Sequence, residues 1–199
     1  MPTTAWSAPA QALNSSSLVT PTFTTATLTD ISPAPVVLVP PQLAVGTRVR
    51  LVAHGSYIAT TAASSLTFGF YAAQVGQPIT AAGVAALTTG PAAQAVAASG
   101  IPWMLEYFGR MTSLTDPVLG ATNAQIVGRG RFTIGTSLTA ETVSPTPQTL
   151  AAVTVAQGGT PGFGLVTNTA QLVSVGVTVA TNTGLTSITC DELTCELIG

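Results

Sequence analysis

Past residue 46 the apolar residues of this chain recur at every second position. In TRVRLVAHGSYIAT, Val49, Leu51, Ala53 and Tyr57 fall on one face of an extended chain, and Arg48, Arg50 and His54 on the other. A repeat of two is the side-chain period of a β-strand, so the pattern sorts these residues into a core face and a second face. SLTFGFYAA comes after a short polar gap at residues 60–64, the spacing of a hairpin. In PWMLEYFGRMTSL, Trp103, Leu105, Tyr107 and Met111 alternate with Glu106, Phe108 and Arg110. LAAVTVA, AQLVSVGVTVA and TSITCDELTCELIG read as further strands, separated by turn signals such as Gly158-Gly159, Pro161-Gly162 and Asn182 to Gly184.

The stretch GRGRFTIG admits two readings. Its glycines and arginines could form a phosphate-gripping loop, or Arg129 and Arg131 could leave one face of a strand while Phe132 and Ile134 enter a core. A phosphate loop leads into a helix N-terminus. This stretch leads instead into the turn-rich TSLTAETVSPTPQ, and Ile126, Gly128, Gly130, Phe132 and Ile134 share one parity, so the strand reading wins. Between Gln74 and Gly100 the chain is rich in Gly, Ala and Thr, and a helix at residues 92–98 and a long loop both remain open. About seven to nine short strands without a firm helix predict an all-β chain, an antiparallel β-sandwich, with a jelly roll as the favoured variant.

Residues 1–46 differ from the rest. They hold Pro2, Pro9, Pro21, Pro33, Pro35, Pro40 and Pro41, half of the 14 prolines, and Asp30 is their one charged side chain. Proline at that density blocks helices and central strands and favours extended chain. The expectation is an N-terminal arm over 1–46 and a sandwich over 47–199. Val36, Val37, Leu38 and Val39, bracketed by prolines, form a candidate edge strand that could lie against a neighbouring subunit.

Composition changes the view of the surface. Only 6% of the residues are charged, against roughly a quarter in ordinary soluble chains, and mean hydropathy is +0.52. The surface must then be carried by Thr, Ser, Gln and Asn, which suits a protein packed against neighbours. There is no lysine, which excludes a Walker-type phosphate loop, a Schiff-base lysine and a pyridoxal site. A net charge of −2 argues against a nucleic-acid partner. The N-terminus lacks the features of a signal peptide, and no run of about 18 apolar residues predicts a membrane span. Cys190 and Cys195 are five apart, on opposite faces of a regular strand and too far apart for a disulfide, so both are expected as free thiols. Two cysteines and one histidine fall short of a structural zinc set.

Candidate chemistry is thin. His54 is the single histidine, and no G-x-S-x-G turn accompanies it. Glu106 and Glu141 are the pair a polysaccharide-cleaving enzyme would use. The alternation, however, claims most of the aromatic residues for the core, and saccharide sites need exposed ones. No catalytic residue, cofactor or metal site is therefore expected. The residues that stand out are charged and displayed: Arg48, Arg50, Arg110, Arg129 and Arg131 mid-chain, with Glu106 among them, while Asp191, Glu192 and Glu196 gather at the end. They form either a strip for a partner protein or a set of local pairs with Glu106 and Asp116.

The run RVRLVAHGSYIATTAASSLTFGFY, the small-residue connector, IPWMLEYFGRMTSL, IVGRGRF and the end SITCDELTCELIG resemble a family of small structural proteins encoded among the head genes of tailed bacteriophages. The resemblance covers roughly the last three-quarters of the chain; the arm lies outside it, and TDPVLGATN departs from it by lengthening one turn. It implies a virion protein that decorates or stabilises the outside of the shell, with the major capsid protein and further copies of itself, in a trimer, as partners. A host-binding fibre domain is the alternative, and a depolymerase a more distant one.

Overall fold

The computed structural model describes residues 7–12, 26–33, 36–38, 43–60, 65–80, 85–89, 92–93, 97–113, 124–135, 148–149, 151–152, 163–165, 170–180 and 184–198. Among these there is no helix. The strands are β1 (Ser7–Ala12), β2 (Leu28–Asp30), β3 (Val36–Leu38), β4 (Arg48–Ala59), β5 (Ser65–Gln74), β6 (Ala85–Thr88) and β7 (Ala92–Ala93). They continue with β8 (Ala97–Ser113), β9 (Ala124–Ile134), β10 (Gln148–Thr149), β11 (Ala151–Ala152), β12 (Phe163–Leu165), β13 (Gln171–Val179) and β14 (Leu185–Ile198).

They form two sheets, antiparallel throughout. The first runs β1-β14-β4-β8-β9-β10, with β12 also on β9; the second runs β11-β6-β5-β13-β2, with β3 also on β13 and β7 on β5. One core joins their inner faces. At its centre Phe68 of β5 meets Trp103 of β8 and Phe132 of β9, with ring centroids 4.7 and 5.0 Å apart. The alternation read from the sequence sets these faces. Val49, Leu51, Ala53 and Tyr57 of β4, Trp103, Leu105, Tyr107 and Met111 of β8, and Ile126, Phe132 and Ile134 of β9 are all buried. The polar tips of the large rings end on backbone oxygens: Trp103 Nε1 donates to Thr189, Tyr57 to Gly135 and Tyr107 to Ile126. That removes the cost of burying them unpaired.

The reading that the sequence left open for residues 74–100 goes to strands over much of its described part. Within residues 74–100 a turn at 75–80 follows β5, and the described strands are then β6, β7 and the start of β8, because the backbone groups on that side of β5 take β6 and β7 as partners. The described parts of residues 1–46 also join the sheets. β1 pairs with β14, and β2 and β3 share the free side of β13.

The cysteines require a correction. Cys190 and Cys195 are both free and both buried, not on opposite faces. The register of β14 on β4 slips between Cys190 and Glu192, so Asp191 is an extra residue in the ladder. A bulge of one residue reverses parity on one side of it, and both thiols therefore point inward.

Candidate protein-binding face

The outer face of the first sheet collects the charged residues singled out in the sequence. Four strands bring them into rows. Ile198, Arg48, Arg110 and Val127 lie side by side across β14, β4, β8 and β9. The next row is Glu196, Arg50, Phe108 and Arg129; then come Thr194, Val52, Glu106 and Arg131, and finally Glu192, His54, Met104 and Thr133. Arginines from three separate strands thus share one surface because each strand has the same parity there and the ladders hold the register.

Part of the strip is locally paired. Glu106, whose side chain is 22% exposed, accepts from Arg50 Nη2 at 3.1 Å on Oε1 and from Arg131 Nε at 2.9 Å on Oε2. Arg50 also donates through Nη1 to Glu196 Oε2 at 3.3 Å. The hydrogen bonds that Arg50 donates to Glu106 and then to Glu196 raise its pKa above the ordinary value. His54 Nε2 lies 3.0 Å from Glu192 Oε2. Local pairing, the second of the two readings of the strip, therefore holds for Arg50 and Arg131. Among the described residues, no carboxylate lies within ion-pair distance of Arg48, Arg110 or Arg129. Phe108, 48% exposed, and Val127, 41% exposed, stand among these three. An open depression of about 400 Å³ lies between Phe108, Arg129, Arg131 and Glu106.

The floor under this corner depends on glycine. Gly109 and Gly128 face each other across β8 and β9. A Cβ on Gly128 would stand 2.1 Å from the Phe108 carbonyl oxygen, and one on Gly109 would stand 2.7 Å from the Tyr107 hydroxyl. Tyr107 lies beside the pair on the inner side and donates to Ile126 O at 3.1 Å. Gly109 and Gly128 thus let two backbones and a tyrosine ring approach closely. The second sheet repeats the arrangement: Gly69 faces Gly176, and a Cβ on either would stand about 3 Å from the Tyr71 ring. The sequence carries a local trace of both, Tyr107-x-Gly109 and Gly69-x-Tyr71, but not of the partner glycine.

The remaining candidates fall elsewhere. Val36 and Leu38 are buried in the core, while Val37, between them, is exposed. Val39, Asp116 and Glu141 lie outside the described residues, so the Glu106–Glu141 separation is not defined. Sequence reasoning missed the pairing of His54 with Glu192 and the position of Asp191. Through the bulge, Asp191 lines a second open depression, of about 370 Å³, with His54, Ser56, Pro102, Met104 and Thr133. Among the described residues, no group of three or more His, Cys, Asp or Glu side chains is placed to hold a metal ion. No helix there is long and apolar enough to cross a membrane.

No protein-family model, curated protein or solved structure matches the chain.

Proposed function

We propose that this protein is a structural component of a tailed-phage virion, made in the bacterial cytoplasm and bound to the outside of the capsid shell, which it decorates or stabilises. Its partners in this reading are the major capsid protein and further copies of itself, and it has no catalytic role. The observation that carries the reading is the outer face of the first sheet, where three arginines without a carboxylate partner among the described residues surround exposed Phe108 and Val127. Arginine and aromatic side chains together are the composition of protein interfaces. Many copies on a repeating lattice gain avidity from modest contacts of this kind.

The architecture that goes with this role is a jelly-roll-like sandwich with residues 1–46 as an arm along its edges. Two paired ribbons support it: β4 with β14 in one sheet, β5 with β13 in the other. The strand ends that flank both passages between the sheets are bonded to each other, Thr60 N donating to Gly184 O at 2.6 Å and Ala180 N to Ser65 O at 3.0 Å. The test is co-sedimentation with purified phage shells that lack the protein. Saturable pelleting with the shells is expected. A protein that stays in the supernatant at saturating concentration, or that is found on the tail of intact particles, ends this reading.

A further inference from the structure

One edge of the first sheet is β9, and two short strands cover it in part. β12 pairs with Ala124, Gln125 and Ile126, and β10 with Arg131 and Phe132. Between them Val127, Gly128, Arg129 and Gly130 pair with β8 on one side and, among the described residues, with no strand on the other. Gly128 is exposed, and because glycine has no side chain the exposure is of main chain. Four extended residues make about 13 Å of open edge, and its outward N–H and C=O groups are the template that strand addition uses.

The same stretch holds an uncompensated charge. Arg131, where β10 covers the edge, is paired with Glu106, whereas Arg129, in the gap, has no carboxylate within ion-pair distance among the described residues. On the strands behind it Arg110 and Arg48 lie directly opposite each other. Like charges so placed are unfavourable by themselves, and they strengthen the positive potential of this corner. Val127, two residues from Arg129 on the same face, is exposed as well. A charged side chain on an edge repels another edge of the same sign and so blunts self-association. Toward an acidic strand the same charge selects instead of excluding.

We propose that the edge of β9 between β12 and β10 takes up an extended acidic segment of a partner protein as an added strand. This rests on reading the outer face as a protein-binding surface and names what is bound. The insert runs antiparallel to β9, as β12 and β10 do. It then meets Arg129 first and Val127 two residues later, so the segment reads Asp or Glu, any residue, then an apolar one. Gly128 and Gly130 bring no side chain to the other side of the sheet, so recognition falls on these two positions.

The test is amide NMR and hydrogen exchange on the full chain with an end-capped peptide, Ser-Thr-Asp-Thr-Val-Thr-Ser. Saturable binding below about 1 mM is expected, with shifts centred on residues 127–130 and slowed exchange there. The isomer Ser-Thr-Asp-Val-Thr-Thr-Ser sets the two side chains on opposite faces, and a fully N-methylated copy cannot donate to a neighbouring strand. Both should bind more weakly by about tenfold or more. Arg129→Glu should weaken the parent peptide by about tenfold or more and favour a copy with Lys in place of Asp. No saturation by about 1 mM, equal binding of the N-methylated copy, or an Arg129→Glu variant that binds as wild type does would each overturn the proposal. Heparin that binds at the three arginines without slowing exchange at 127–130, where the peptide does not bind, would assign the corner to an acidic saccharide and overturn it too. A chain that binds shells but not the peptide ends the added strand and leaves the decoration role. A peptide that behaves as expected on a chain that ignores shells does the reverse.

Discussion

Between β2 and β3 the edge of the second sheet is interrupted, and one side chain spans the gap. Ser32 Oγ accepts from Val175 N at 2.6 Å and lies 3.3 Å from Val175 O, to which it donates, while Asp30 Oδ1 accepts from Ser32 N at 2.9 Å. The hydroxyl does for Val175 what a neighbouring backbone does elsewhere on β13. Ser32→Ala leaves that N–H without its partner, and a part-buried group so orphaned costs about 1–2 kcal/mol. A lowered urea midpoint with an unchanged slope is the expected result, and Ser32→Thr, which keeps the hydroxyl, should recover most of it. Gly128→Ala should cost more, about 3 kcal/mol. Its Cβ would meet the Phe108 carbonyl and Gly109 Cα, at 2.1 and 2.4 Å, and neither can move without parting β8 from β9. A variant as stable as wild type would show that the two strands are not held that close.

At the scale of elements, the proline-rich first segment contributes strands, not only reach. Val36 and Leu38 of β3 enter the core at 3% and 1% exposure, and β2 and β3 together cover one side of β13. Deleting residues 1–40 therefore removes three core side chains, Ile31, Val36 and Leu38, worth roughly 1.5–3 kcal/mol each, and bares the edge of a central ribbon. The shortened chain should lose its cooperative urea transition or aggregate. Deleting residues 1–25 removes only β1 among the described strands and should leave a cooperative transition. Equal stability of the two truncations would contradict the placement of β3.

The whole molecule has an uncommon titration. With no lysine, the side chains that ionise between about pH 9 and 12 are two cysteines and three tyrosines. Burial pushes both Cys190 and Cys195 from an ordinary 9.0 up to about 12, and Tyr71 from 10.0 to about 12. Burial raises Tyr107 as well. In each case the fold favours the neutral form. Below about pH 9 folded and unfolded chains bind the same protons at these groups, and their contribution to stability is intact. As pH rises from 9 towards 12 the unfolded chain gives up protons that the folded chain keeps, so stability falls. Urea midpoints at pH 7.5, 9, 10 and 11 should be level up to 9 and then decline, and Cys195→Ala should shallow the decline. A level midpoint through pH 11 would mean that these groups are not buried in solution. The same burial predicts that neither thiol reacts with an alkylating reagent until the chain unfolds.

The sequence alone determined which side of each strand faces inward. Alternation is a local property, and one residue's neighbours suffice to read it: Leu51 in and Arg50 out, Phe132 in and Arg131 out. Parity also settled GRGRF as a strand. It misplaced Cys190, because a bulge at Asp191 is a mismatch between two strands and is written in neither one. Only the tertiary structure decided which strands lie side by side, and everything about the charged face depends on that. Glu106 reaches Arg50 and Arg131 across sequence separations of 56 and 25 residues. Gly109 meets Gly128, Ser32 meets Val175, and the arginines left over gather at one end. Side-chain direction is set by two torsions per residue; neighbourhood across a sheet is set by the whole chain closing on one core.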